Sequence, residues 1–516
     1  MSAIPLLTSP PASLTDGLNQ VITSINSAPG GAYSSTPLPA AQGGTGPSNA
    51  LPIPIPINFP YNFEGAAFSL IDNSVGPATA VCSLTAKQVF AVYSPAQSSP
   101  SATYYVNGGG ASGSWGAGSD GNNGLSMASP CLTIGHAQSL ANTGAVPAKI
   151  YILVGIYTRV GNTNFSITVD TAWVAVSGRV VLGVYDNFSA PSKDGTFTNC
   201  YSFTAANCDR VMDLINLDNY GHYNDIPYVS TAAICNATPG SWAKVGSTVY
   251  VNRADGAAMT NTNTRWYYTT ITPITVGTAS GTGINFYMGT EDGGFSGFDV
   301  EGGQSGAFLA YNTSPSGNKR VIVGEYCTYR YSGGLVGTSA ENIQINSWNG
   351  FAWFFNCDAS KCLTDGFAAH NGYGAPLSGM VTVNCTAFTN GSGPNVGQVS
   401  CNGWTTHESC IAADFGGYYK DGAGGLVRSI GSSISLLAGT TSENDKGDVS
   451  YGGATQPTAF FNGNTSTYYL FRPKAVVQGG QRAFCTSETA VMKIMQPWPT
   501  KGSTGGTGTI STVTSW

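Results

Sequence analysis

Tyr104-Tyr105-Val106, Gly118-Ser119-Asp120-Gly121-Asn122-Asn123-Gly124-Leu125-Ser126, Thr133-Ile134 and Lys149-Ile150-Tyr151-Ile152-Leu153-Val154-Gly155-Ile156-Tyr157 are the pieces of the stretch that decides the fold. They read as a short strand, a glycine-rich loop, the start of a small helical pattern carrying Ala137 and Leu140, and a strand that is apolar on both faces. An unbroken apolar run fits a strand buried in a parallel sheet. A helix just before it would cover the open end of a stacked core, as capping elements do in solenoids.

Composition agrees with a solenoid. The chain has 516 residues, beyond the size at which one compact core stops growing. Only 9% of residues are charged, yet 41% are hydrophobic and 11% aromatic, so a core is affordable and disorder is excluded. With 68 Gly and 27 Pro, turns must be frequent, which points to an all-β chain. A net charge of −6 with no basic run argues against nucleic acid as a partner. No apolar run reaches the ~20 residues of a membrane span. The start, Met1-Ser2-Ala3-Ile4-Pro5, lacks the basic and apolar regions of a secretory signal, so the 12 Cys are expected to be thiols at synthesis.

Downstream, the sequence repeats with drift. Phe354-Phe355-Asn356-Cys357-Asp358-Ala359 is echoed by Thr382-Val383-Asn384-Cys385-Thr386-Ala387. Asp365-Gly366-Phe367-Ala368-Ala369-His370-Asn371 is echoed by Asn402-Gly403-Trp404-Thr405-Thr406-His407-Glu408. Cys327, Cys357, Cys385 and Cys410 fall 30, 28 and 25 residues apart, in the range of solenoid coils. One Cys per coil predicts an interior ladder of thiols about 4.8 Å apart; disulfides are the rival reading.

The regions flanking the repeats have their own texture. Leu51-Pro52-Ile53-Pro54-Ile55-Pro56-Ile57 removes backbone donors at every second position and favours an extended path, either a docking arm or a plain linker. Residues 1–62 are read as this arm, 63–100 as a small adaptor, 101–441 as the solenoid and 442–516 as a β-rich cap or trimerisation element. Glu443-Asn444-Asp445-Lys446-Gly447-Asp448 marks the last change of texture; Gly502 to Gly508 reads as flexible, with Trp516 as a possible anchor.

The quoted residues from Tyr104 to Tyr157 resemble the opening coil of the pectate-lyase-like β-helix superfamily, departing from it in the longer glycine-rich insert Gly108 to Gly116. Ala41-Gln42-Gly43-Gly44-Thr45-Gly46 resembles segments near the N-termini of phage tail fibres and spikes. These resemblances imply a right-handed parallel β-helix carried on a virion as a homotrimer. Its N-terminal arm would attach to a tail, baseplate or collar protein, and its helix would face bacterial surface polysaccharide. They also imply assembly in a bacterial cytoplasm and release by lysis. Activity is left open, because lyases, hydrolases and inert fibres share that opening.

The chemistry available is narrow. Four His exist: His136 reads as structural in the cap helix, and His222 as a solvated loop ring. No HExxH, Cys–His zinc spacing or Gly-x-Ser-x-Gly elbow is present, so neither a metal nor a cofactor is expected. Glycan cleavage needs only two carboxylates at a suitable separation. The candidates are Glu291, Asp292, Asp299, Glu301, Asp358, Asp365, Glu408 and Asp414. The histidine echo centres the expected groove on Asp365, His370, His407 and Glu408 as catalytic candidates, with Trp348, Trp353, Trp404, Tyr418 and Tyr419 as flat rings for sugar faces. The bland alternative is that these residues fill turns and stack positions. Three functions remain open: glycan recognition without cleavage, polysaccharide depolymerisation by hydrolysis or elimination, and a purely structural fibre.

Overall fold

The computed structural model describes residues 50–515, except 72, 74–75, 164, 189–190, 269–270, 278–283, 312–319, 336–339, 347, 349, 371–378, 392–401, 421–426, 445–457, 478–481 and 498–502. The Gly43-Gly44-Thr45-Gly46 segment, Cys401, Asp445-Lys446-Gly447-Asp448 and Trp516 lie outside the described residues.

Three parallel sheets wrap one core. The first continues through Arg320–Glu325, Gly350–Phe355, Gly379–Val383, Ile411–Phe415 and Ile434–Ala438; the second through Thr328–Arg330, Asp358–Ser360, Thr386–Phe388, Tyr418–Lys420 and Thr441–Asn444. The third has ten strands, from Phe165–Ile167 to Ser503–Gly506. Between Phe286 and Thr486 each coil lays one strand on each sheet. Ile322, Ala352, Met380 and Ala412 stack in one column, all buried in the same core. This is a parallel β-helix, grown by adding coils along one axis.

The first corner is held by backbone conformation. Tyr326, Asn356, Asn384, Gly416, Gly439, Arg472 and Gln496 sit one per coil with φ between +49° and +71°. Asn and Gly enter that left-handed region more cheaply than most residues, which explains the repeated Asn before Cys. The next position points inward. Cys327, Cys357 and Cys385 fill it on three consecutive coils, their carbonyls accepting from Asp358 N, Thr386 N and Tyr418 N at 2.9 Å each. The rung after Cys385 is Gly417, whose carbonyl accepts from Thr441 N. Cys410 is therefore not a rung of the expected ladder: it is buried at a different corner, where its carbonyl accepts from Ile434 N at 3.0 Å. The eleven described cysteines are free thiols, and burial pushes those of Cys327 and Cys357 far up.

The opening stretch builds the cap. Helix α1, Ile134–Gly144, buries Ile134, Ala137 and Ala141, with Thr133 as N-cap accepting from His136 N at 3.1 Å. Asp120 receives Leu132 N, Thr133 N and the Thr133 hydroxyl, which ties the motif's acidic residue to the helix start. Gly118 is required: a Cβ there would lie 1.8 Å from the Asn107 carbonyl oxygen. His136 is half-buried beside the Asn122 carbonyl, in keeping with a structural role.

Two additions lie on the outside. Residues 51–97 pack along the outer face of the first sheet. Tyr61 stacks on Phe351 at 3.5 Å and Phe68 on Phe415 at 3.8 Å, while Phe90 packs on Tyr287 at 5.7 Å. Asn384 clamps Ala80 with two hydrogen bonds, at 2.7 and 2.8 Å. Residues 192–268, expected from the sequence to be part of the parallel stack, form an antiparallel insert. Its strands Tyr201–Thr204, Ser241–Val245 and Thr248–Asn252, and Cys208–Leu217 with Thr264–Tyr268, enclose a core of their own around Trp242, Val249, Val251 and Trp266.

The coils do not change architecture at residue 442. Thr467–Phe471, Val491–Met495 and Thr509–Val513 extend the first sheet, and Ser503–Gly506, expected to be flexible, pairs in parallel with Arg482–Thr486 on the third. Among the described residues, no helix is long and apolar enough to cross a membrane.

Candidate functional site

The histidine echo is a real register. Ala369 pairs with Thr406, so His370 and His407 occupy equivalent places on consecutive coils, where the third sheet turns into the first. Their rings stack 4.1 Å apart at 19°. Glu341 Oε1 lies 3.1 Å from His370 Nε2, and Asp365 Oδ2 lies 4.0 Å from His407 Nε2. Burial works against the charged His370 ring, but the Glu341 carboxylate outweighs it and raises the His370 pKa, while burial and the neighbouring His370 push the His407 pKa down. Glu408 is exposed beside the two rings. Glu341 was missed in the sequence because it lies outside both echoed segments, one coil earlier.

Asp365 cannot act as the expected acid. It is 3% exposed, and its Oδ1 accepts both the backbone N–H and the side-chain amide of Asn402. A glycosidic oxygen cannot reach it, so the two-carboxylate scheme with Glu408 loses its inner member.

Four of the five expected sugar-stacking rings are also corrected. Trp348, Trp353, Trp404 and Tyr419 are fully buried, and a ring with no open face cannot stack on a ligand. Trp353 lies under residues 51–97 and donates its indole N–H to the Tyr61 hydroxyl at 3.1 Å. Trp404 donates to Thr382 Oγ1 at 3.1 Å, and Tyr419 to Asp414 Oδ1 at 2.7 Å. Alternation on a strand assigns a ring to a face, but the sequence does not reveal which outer face another segment covers.

The other carboxylates are engaged. Glu291 pairs with Lys87 and Lys149, Asp299 with Arg179, Asp358 with Arg330, and Glu301 with Arg265. Asp292 binds Thr290 and Ser296; buried Asp414 accepts Thr382, Tyr419, Thr440 and Gly417 N. His222 is not solvated either: it is fully buried, 3.3 Å from Asp218 Oδ2, and burial lowers its pKa.

Tyr418 is the exception among the rings. It points outward from the second sheet, half-buried, next to Phe388 at 5.3 Å. Phe388 stacks flat on Tyr220 of the insert at 4.8 Å and 11°. Beside these three half-buried rings, Glu443 accepts the Tyr418 hydroxyl at 2.6 Å and pairs with Lys420 at 2.8 Å. Aromatic faces next to a few fixed polar groups are the usual make-up of a small-ligand surface.

No family model matches the chain, nor does any curated protein. Among solved structures it is similar to XylC in complex with xylose, at 11% identity and a TM-score of 0.42, covering 78% of this chain and 70% of that one. It is also similar to the Pseudomonas phage phi297 tailspike gp61, at 11% identity and a TM-score of 0.21, over 73% of this chain and 66% of that one. A third is the gp54 tailspike of Acinetobacter baumannii bacteriophage AP22, solved with capsular saccharide, at 11% and 0.18 over 72% and 76%. The chain is a parallel β-helix by its own strand register.

Proposed function

We propose that this chain is a tail appendage of a bacterial virus that binds host surface glycan on the outer face of its β-helix. The observation that carries the reading is the strip Tyr220, Phe388 and Tyr418 beside Lys420 and Glu443, where the insert meets the second sheet. The resemblance of Ala41 to Gly46 to segments of phage tail fibres and spikes supports the setting. The proposed assembly is a homotrimer attached through residues 1–62. Val154, Ile156 and Val160, at 46, 62 and 68% exposure, offer an apolar patch for a neighbouring copy.

The test is co-sedimentation of the purified chain with a panel of bacterial envelope polysaccharides, with assays for new reducing ends and for unsaturated-sugar absorbance. Binding that falls about tenfold in Tyr418→Ala is the expected result, in line with the loss of one stacking ring. Product formation would make the chain a depolymerase. No binding to any polysaccharide would leave a structural fibre. Light scattering checks the trimer, which a monomeric mass would refute.

A further inference from the structure

The histidine corner has features that neither packing nor glycan recognition uses. Glu341 and Asp365, both 3% exposed, stand behind the rings and face Nε2 of His370 and His407. A carboxylate in that place fixes ring orientation and draws the proton to the nitrogen it faces, leaving the other ring nitrogen with a lone pair for a ligand. Glu408 is the exposed neighbour of the two rings. One nitrogen from each ring and one Glu408 carboxylate oxygen all lie within 4.8 Å of one another.

The corner is incomplete in its hydrogen bonding. Glu341 Oε2, Asn402 Oδ1 and His407 Nε2 are buried without a hydrogen-bond partner among the described residues.

We propose that His370, His407 and Glu408 hold a divalent transition-metal ion of the zinc class, with Glu341 and Asp365 orienting the two rings from behind. Two imidazoles and a carboxylate are a ligand set for such an ion, with a fourth position open to water or to a ligand atom. Bonds of about 2.0–2.1 Å in a tetrahedron put donors about 3.3 Å apart, so the stacked rings must splay by side-chain rotation as the ion enters. Because the two histidines belong to consecutive coils, the ion would also clip one coil to the next.

The test is titration of the full chain with zinc chloride and, separately, cobalt chloride. The expected result is one equivalent bound per chain. Affinity should fall at least about tenfold in His370→Ala and His407→Ala, and fall less in Glu408→Gln. His136→Ala, in the cap helix, should leave binding unchanged. Cobalt reads the site in the unmodified chain, where d–d absorption should rise to a plateau at one equivalent, so the result does not hang on a variant's folding. Absence of a saturable cobalt spectrum would overturn the proposal, as would zinc affinity unchanged in both histidine variants.

Discussion

Two columns of stacked residues run along this molecule, and they were built by the same rule to opposite ends. At the first corner Cys327, Cys357 and Cys385 follow Tyr326, Asn356 and Asn384 into the core. At the third-sheet corner His370 lies over His407. Both columns come from coil-to-coil repetition. The cysteine column is apolar and sealed inside the core, so it is packing. The histidine column is half-open, flanked by buried carboxylates, and leaves polar atoms without partners among the described residues. Repetition locates a column; whether its polar atoms are satisfied decides if it is structure or site.

The contrast can be attacked from its structural side first. Cys357→Asp puts a charge into the sealed column and should cost upwards of about 4 kcal/mol in urea unfolding, with the slope unchanged. A loss below about 1 kcal/mol would mean that the column is open to water. Next come the paired asparagines. Asn356→Ala should cost about 1–2 kcal/mol for its left-handed backbone. Asn384→Ala should cost about 2 kcal/mol beyond that, because it also loses both bonds to Ala80; equal losses would detach residues 51–97 from the account.

A third histidine sharpens the comparison. His222 is buried as well, but beside Asp218, and burial lowers its folded pKa. The unfolded chain then binds more protons below about pH 6.5, so stability should fall as pH drops through that value. The Asp218 carboxyl is held below the usual range by His222 and Lys361, which adds a further loss below about pH 4. Tryptophan fluorescence of Trp242 and Trp266 in the insert should follow both steps, and a flat profile from pH 7 to 5 would remove His222 from the argument. The smallest effect belongs to the proposed site. His407→Ala should change metal-free stability by less than about 1 kcal/mol, as expected of a half-open residue outside the main core. A loss of several kcal/mol would make the histidine column packing after all.

The fold was legible because a coil repeat writes its register into the chain. Asn356-Cys357 over Asn384-Cys385 and His370 over His407 are the alignments that the strand pairing contains. Spacing alone misled at Cys410, since coil lengths vary and 25 residues ended at a different corner. The insert escaped because an antiparallel sheet uses the same residue types as the parallel one. The site was half legible for a related reason. Strand alternation puts Trp353 on a face, but only the folded path of residues 51–97 covers that face, and only burial takes Asp365 out of reach. Tyr220 and Phe388 meet across about 170 residues, a distance that no local pattern reports.

The strap formed by residues 51–97 has a mechanical consequence. It bears on the stack from the coil of Tyr287, through Phe90, to the coil of Tyr469, through Phe59. A coil in a solenoid otherwise touches only its neighbours, so a pull on the far end peels coils off one at a time. A pull on residue 51 is spread over many coils together and loads them in shear, which makes the amino-terminal end the stronger handle by which to tether this molecule.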